Sequence, residues 1–199
     1  MTHPDLFLVI VSGPPASGKT FLGKRIAQKF QVPFLNKDGI KEILFDDLSW
    51  SDAAWSRKLN TASIDLLYHF TEALLIAGRS FVVESNFKPE VDTDRFSKVK
   101  QKYPFYPIQV QCVADGNVLL ERFKTRQRHP GHADQEIQDY LTPVLLKGRH
   151  DRLEIGGDLI EVDTTKFEDI DFPKLFQTLG EIIGNISPEI REQQDKTEF

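Results

Sequence analysis

The sequence has little of several features that define common protein classes. It contains a single cysteine, Cys112, so the chain cannot form an internal disulfide bond. We expect Cys112 to be a small buried residue in a strand rather than a nucleophile. A chain without disulfides suits a reducing compartment, and we therefore expect a cytoplasmic protein.

Long apolar runs and an excess of basic charge are also lacking. The apolar run 6–11 is far shorter than the roughly 20 residues that cross a bilayer, and no basic leader precedes it, so we expect neither a signal peptide nor a membrane helix. The formal net charge of −5 argues against a general nucleic-acid-binding protein. With 199 residues, 40% of them hydrophobic, the chain suits one domain with a substantial core.

The sequence does contain one phosphate-binding loop. The loop fits the pattern G-x-x-x-x-G-K-[ST] and consists of Gly13, Pro14, Pro15, Ala16, Ser17, Gly18, Lys19 and Thr20. A buried-strand pattern precedes it and a helical pattern follows, which is the context that the motif needs. The glycines let the backbone curl round a phosphate, and the helix start directs N–H groups at the anion. Lys19 would reach the β- and γ-phosphates, and Thr20 would offer its hydroxyl to Mg²⁺.

Strand and helix patterns alternate along the rest of the chain. This alternation predicts a mostly parallel sheet with helices on both faces, formed by a single domain over 1–184 and followed by a polar tail, 185–199. We predict strands at 31–36, 80–84, 108–114 and 158–163, and helices at 20–30, 53–77, 89–101, 118–127, 133–147 and 172–183.

Three local expectations depend on these bounds. Lys37, Asp38 and Gly39 have the composition of a turn, which we place between the second strand and a short helix. Pro143 is expected to kink or break the helix 133–147. The helix 53–77 is predicted to bury the stripe Leu59, Ala62, Leu66, Phe70, Ala73 and Leu74.

These motifs resemble the small P-loop kinases that are grouped under an AAA domain label. The chain is similar in this respect to zeta toxins, chloramphenicol phosphotransferase and the kinase domain of phage polynucleotide kinase. The resemblance runs from about Leu6 to Asp163 and depends on the phosphate loop, the segment Asn36-Lys37-Asp38-Gly39-Ile40-Lys41 and the arginines Arg122, Arg126 and Arg128. It implies a three-layer α/β P-loop kinase fold, with five parallel strands in the order 2-3-1-4-5 and a small helical lid over about 118–148.

The resemblance also implies an activity and a role for Asp38. The activity is transfer of the γ-phosphoryl group of Mg-ATP to a hydroxyl group, and Asp38 resembles the aspartate that orients and deprotonates that hydroxyl. Asp38 could instead only cap the following helix. Where the family often has an arginine, this chain has Lys41, which cannot form a bidentate fork to substrate.

Glu84 ends the third predicted strand, where related enzymes place a group near Mg²⁺ or substrate. A carboxylate there could hold a metal-bound water or a substrate hydroxyl, or it could only bond nearby backbone. Asn86, two residues further on, is a second candidate for substrate contact.

The three arginines are the candidate lid groups. Arg122 and Arg126 are four residues apart, so a continuous helix would place them on one face. The resemblance implies that Arg122, Arg126 and Arg128 close over ATP, although such a run can also be a solvated helix face. We prefer Arg126 as the single lid residue, and which of the three contacts the γ-phosphate is not predicted. It also implies that the loop at Thr164 lies beside the adenine. His129 and His132 flank a Pro-Gly turn and are interpreted as turn residues or substrate contacts rather than metal ligands.

Three functions remain open at this stage. The first is a kinase for a small-molecule or nucleotide-like hydroxyl, and its acceptor and oligomeric state are not predicted. The second is a 5′-hydroxyl polynucleotide kinase, favoured by the basic and aromatic residues of 95–103 and disfavoured by the net acidity. The third is a nucleotide-dependent switch or ATPase without an acceptor.

Overall fold

The computed structural model describes residues 6–186, and within that range it confirms the predicted sheet. Five parallel strands form one sheet in the order β2-β3-β1-β4-β5. The elements in chain order are β1 Phe7–Ser12, α1 Lys19–Phe30, β2 Phe34–Asn36, α2 Lys37–Leu48, α3 Ala53–Ile76, β3 Phe81–Glu84, α4 Pro89–Lys102, β4 Tyr106–Val113, α5 Gly116–Thr125, α6 Asp134–Lys147, β5 Asp158–Asp163 and α7 Phe172–Ile186.

The central strand β1 separates two apolar layers. Phe7, Val9 and Val11 face the first layer, which α1 and α7 complete, while Leu8 and Ile10 face the second layer, completed by α3 and α4. All residues of β1 are buried, as expected for a strand that is covered on both faces. This packing fixes the carboxyl end of β1, where the phosphate loop begins.

The start of α2 corrects the predicted turn. Asn36 is extended and the helix begins at Lys37, so Asp38 lies in its first turn. Gly39 permits this close start, because a Cβ atom at Gly39 would lie 2.5 Å from the Asn36 Oδ1 atom. The positive end of the helix dipole therefore acts directly on the Asp38 carboxylate.

Two other predicted features are wrong in detail. At Pro143 the predicted alternatives were a kink or a break, and the break is wrong because helix α6 continues through Pro143 to Lys147. In α3 the buried side is displaced from the predicted stripe, because Leu59 is buried but Phe70 is exposed. The buried positions are Ser56, Leu59, Ser63, Leu67, Tyr68, Thr71 and Leu75. Small hydroxyl residues occupy part of this side, and a pattern based on hydrophobicity overlooks them.

Helices α5 and α6, with the short 3₁₀ turn Pro130–His132 between them, occupy the segment predicted as the lid. They bury a cluster of their own, Leu119, Phe123 and Leu145, against which Ala16 of the phosphate loop packs. No helix within residues 6–186 is both long and apolar enough to cross a membrane. Residues 185 and 186 of the predicted tail belong to α7, and 187–199 lie outside the described residues.

Candidate active site

The loop between β1 and α1 has the backbone of an anion site. Gly13 and Gly18 have φ of 145° and 78°, values that suit glycine. At Gly13 a Cβ atom would lie 2.5 Å from the Cys112 carbonyl oxygen, so only glycine fits there. Gly18 is the N-cap of α1 and supplies no side chain to the helix start. The first N–H groups of α1 therefore remain available to phosphate oxygens.

Lys19, Thr20 and Glu84 meet at the base of this loop. The Thr20 hydroxyl donates to Glu84 Oε2 at 2.9 Å, and Lys19 Nζ donates to the Pro14 carbonyl oxygen at 2.7 Å. Burial raises the pKa of Glu84, and the nearby Lys19 charge opposes that shift. Burial likewise lowers the pKa of Lys19, against the attraction of Glu84. A buried lysine and a buried carboxylate thus both line the crevice beside the loop.

The oxygen pair of Thr20 and Glu84 fits a magnesium ion. Mg²⁺ prefers hard oxygen ligands and usually takes only one or two from the protein, with phosphates and waters completing its shell. Among the side chains of residues 6–186, no group of three or more histidines, cysteines, aspartates or glutamates is placed to hold a metal ion.

Asp38 lies across the crevice from the loop and is held by two cations. Its Oδ1 atom is 2.8 Å from Lys37 Nζ and its Oδ2 atom is 2.8 Å from Arg128 Nη2. Burial alone would raise the pKa of Asp38, but the Lys37 and Arg128 charges outweigh it and hold the pKa well below its usual range. The carboxylate is consequently ionised, and its side chain is 38% exposed toward the crevice.

The three candidate arginines have different partners. Arg126 directly follows the last residue of α5, Thr125, and pairs with Asp134 at 2.7 Å, while its N–H group still donates to the Arg122 carbonyl oxygen at 2.9 Å. Arg122 donates to the Thr164 and Thr165 carbonyl oxygens, both at 2.8 Å, and lies over the Phe167 ring. Arg126 and Arg128 line the crevice together with Lys19 and Asp38.

Other predicted site residues lie around this crevice. Asn86 lines it directly, beside Glu84. Thr164 is buried, and its hydroxyl donates to the Val113 carbonyl oxygen at 3.0 Å. Lys41 is also buried, with its Nζ atom 2.9 Å from Ser56 Oγ, and burial lowers its pKa to about 8. The side chains of Thr164 and Lys41 are therefore already engaged by the protein.

Sequence reasoning missed two residues of this site. Phe21, which follows Thr20 directly, lines the crevice and contacts Phe167 edge-on. Lys37 bonds Asn60 Oδ1 of α3 at 2.8 Å in addition to Asp38, and so fixes the carboxylate relative to that helix. The position of Phe21 in the first turn of α1 was available from the motif, whereas the contact of Lys37 with Asn60 depends on the fold.

Comparisons with known proteins agree with this geometry. Residues 8–142 match the AAA domain family. A candidate kinase from Chloroflexus aurantiacus J-10-fl is 41% identical over 89% of this chain and 98% of its own, with a TM-score of 0.81. An unliganded sugar kinase from Janibacter sp. HTCC2649 shares the fold at 16% identity, over 93% of this chain and 98% of its own, with a TM-score of 0.58.

A gluconokinase from Sinorhizobium meliloti 1021 shares the fold at 16% identity and a TM-score of 0.51, over 96% of this chain and 98% of its own. A search among curated proteins gave no match. The family match covers more than half of the chain, and the sheet order is that of the P-loop kinases. The chain therefore belongs to the AAA domain family and has the fold of a small P-loop kinase.

Proposed function

We propose that this protein transfers the γ-phosphoryl group of Mg-ATP to a hydroxyl group of a small molecule. The observation that carries this proposal is the crevice itself, which brings Lys19 and Thr20 of the phosphate loop together with Asp38, Arg126 and Arg128. A site for nucleotide binding alone has no need for a carboxylate opposite the phosphates. The name of the Chloroflexus relative, a candidate kinase, supports the same activity.

The loop side of the crevice would bind and orient the nucleotide. The helix N–H groups and Lys19 would hold the β- and γ-phosphates, and Thr20 and Glu84 would hold Mg²⁺. The bound ion would offset negative charge on the phosphate oxygens. Burial of Lys19 and Glu84 keeps water from screening these charges.

Asp38 would orient the acceptor hydroxyl. The acceptor oxygen forms a bond to the γ-phosphorus, the bond from that phosphorus to the β,γ-bridging oxygen breaks, and ADP leaves. Because the pKa of Asp38 is held so low, the carboxylate positions the hydroxyl and takes its proton late rather than as a strong base. Phosphoryl transfer tolerates this weakness, since it depends mainly on positioning and electrostatics.

Arg128 would contact both the γ-phosphate and the Asp38 carboxylate. It bonds Asp38 at 2.8 Å and lines the same crevice as the phosphate loop. A γ-phosphate would compete with Asp38 for this guanidinium, and a partial loss of the Asp38 contact would raise the basicity of that carboxylate. Nucleotide binding would in this way prepare Asp38 for the acceptor.

The polynucleotide kinase alternative gains no support from α4. Lys102 of its basic stretch is 3.0 Å from Glu72 and Arg95 pairs with Asp65, both acids of α3. Lys100 donates to the Ile155 carbonyl oxygen at 2.8 Å. These contacts give the three cations a role within the protein, and the net charge of −5 also argues against a nucleic-acid ligand.

The test is an acceptor screen with ATP labelled at the γ-phosphate. Sugars, polyols, nucleosides and 5′-hydroxyl oligonucleotides are each incubated with enzyme, Mg²⁺ and ATP, and label is traced to the acceptor. We expect label on at least one small-molecule hydroxyl, and about 10²–10⁴-fold slower labelling with Asp38→Asn at matched enzyme concentration. Label on oligonucleotides alone would favour the second candidate, and ATP hydrolysis without any labelled acceptor would favour a switch or ATPase.

A further inference from the structure

The turn between α5 and α6 is docked on α2 through both of its histidines. His129 stacks on the Phe45 ring with a centroid distance of 5.0 Å, and its Nε2 atom is 3.2 Å from Asp46. Gly131 packs against the same ring, where a Cβ atom would lie 2.8 Å from Phe45. The turn therefore packs in a defined position on the C-terminal half of α2.

His132 is the buried member of this pair. It is 5% exposed, its ring packs edge-on against Phe45, and its carbonyl oxygen lies 3.5 Å from Ser56 Oγ of α3. Its ring nitrogens contact Arg128 Nη2, and its Nε2 atom lies 3.0 Å from Glu42 Oε1. A buried imidazole thus stands between a carboxylate of α2 and the arginine that holds Asp38.

The two partners decide which nitrogen carries the proton. A carboxylate only accepts hydrogen bonds, so the atom that faces Glu42 must be Nε2–H. Arg128 Nη2 lies against both ring nitrogens and an arginine only donates, so Nδ1, the nitrogen without a carboxylate partner, must supply the lone pair to Arg128. Arg128 therefore donates both to His132 Nδ1 and to Asp38, and His132 in turn donates from Nε2 to Glu42.

We propose that His132 is a positioning residue, whose neutral Nδ1 atom holds the Arg128 guanidinium against the Asp38 carboxylate. This inference rests on the proposed kinase function, because it assigns the chain of contacts to the orientation of Asp38. His132 touches neither the phosphate position nor the acceptor position directly, and its effect passes through Arg128.

The surroundings of the ring keep it neutral. Burial and the Arg128 charge lower the pKa of His132 from 6.5 to about 2. The charged groups around it are Glu42, Lys41, Lys37 and Asp38 from α2 and its start, and Arg128 from its own segment. A protonated ring would have no lone pair for Arg128 and would repel it, so the chain of contacts exists only with neutral His132.

Three variants separate positioning from packing. His132→Asn places an amide oxygen near the position of Nδ1 and can still accept from Arg128, whereas His132→Gln reaches the position of Nε2 and keeps only the Glu42 contact. We expect His132→Ala and His132→Gln to lower kcat about 10- to 100-fold with little change in KM for ATP, as for outer partners that orient a ligand. His132→Asn should stay within about threefold of the parent. His69→Gln, on the exposed side of α3, is the matched control.

A double-mutant cycle tests whether Arg128 is the intermediary. In an Arg128→Ala background, His132→Ala should cause no further loss of kcat, because the contact through which it acts is already gone. An equal loss in both backgrounds would overturn the proposal, as would equal activity of the Asn and Gln variants. Thermal unfolding of each variant identifies any that fail to fold.

Nitrogen NMR of the parent protein tests the same claim without turnover. The His132 ring should show an unprotonated Nδ1 and a protonated Nε2, with no titration between pH 5 and 8. A Nδ1–H tautomer, or titration near 6.5, would overturn the inference whatever the catalytic result. A failure of the proposed kinase function would leave this spectrum as predicted, so the two failures are distinguishable.

Discussion

The phosphate loop rests on a packed apolar core, whereas the lid is held mainly by charged contacts. Residues Phe7 to Val11 of β1, which lead into the loop, are at most 1% exposed. In the lid only Leu119, Phe123 and Leu145 form a buried cluster. Besides the packing of the turn Pro130–His132 on Phe45, the lid makes polar contacts such as Arg126–Asp134 at 2.7 Å, Arg128–Asp38 at 2.8 Å and His132–Glu42 at 3.0 Å.

This difference matches the separate roles that the loop and the lid would have in the proposed reaction. A close-packed core does not adjust to a ligand, and so it suits the loop that must present fixed N–H groups to phosphates. Ion pairs can be exchanged for a phosphate oxygen at small cost, and so they suit arginines that must respond to the nucleotide. The predictions below act on one region or the other.

The largest effect is expected on the loop side. Lys19→Ala should reduce ATP turnover to the background rate, because it removes the buried cation at the position of the β- and γ-phosphates. The unfolding temperature should change little, since Lys19 makes one hydrogen bond, to Pro14. Lys24→Ala, on the exposed side of α1, is the control. Normal turnover by Lys19→Ala would remove the loop from the mechanism.

Asp38→Asn acts on the acceptor side and should come next. The amide cannot take the hydroxyl proton, so phosphoryl transfer should slow by about 10²–10⁴-fold. Isothermal titration with an ATP analogue should show near-normal affinity, because the loop is untouched. Asp47→Asn, exposed on the same helix, controls for the change of charge. Full activity of Asp38→Asn would show that this residue is not the base.

Arg126→Ala should have a smaller effect, confined to the lid. We expect kcat to fall about 10²-fold, since one donor to the transferring phosphoryl group is lost. ATP affinity should change much less, because the contact strengthens in the transition state. Lys124→Ala, a cation of α5 paired only with Glu121, is the control. Equal losses of kcat and affinity would contradict a transition-state role.

The smallest effect is a pH dependence of stability from the lid. The pKa of His132 is about 2 in the fold and 6.5 unfolded, so the unfolded chain binds more protons between these values. Its contribution is complete above 6.5 and is lost as the pH falls, by about 1 kcal/mol between pH 6.5 and 5.5. Denaturant unfolding of His132→Asn should lack this loss. An identical pH dependence in parent and variant would contradict the buried neutral ring.

The contrast between the phosphate loop and the lid also explains which features could be predicted from the sequence and which could not. The loop, the strand order and the position of Asp38 beside the crevice followed from a contiguous motif, apolar runs and a family resemblance. The bond between Asp38 and Arg128 joins residues 90 positions apart and leaves no local pattern. The spacing of Arg122 and Arg126 also does not reveal their partners, because Arg122 binds the Thr164 and Thr165 carbonyl oxygens and Arg126 binds Asp134.

The most direct test is a crystal structure with a non-hydrolysable ATP analogue and Mg²⁺. The account predicts the triphosphate within residues 13–20, the metal at Thr20 and Glu84, and the Asp38 carboxylate facing the γ-phosphate with Arg128 between them. A triphosphate bound elsewhere, or Asp38 directed away from the γ-phosphate, would contradict it.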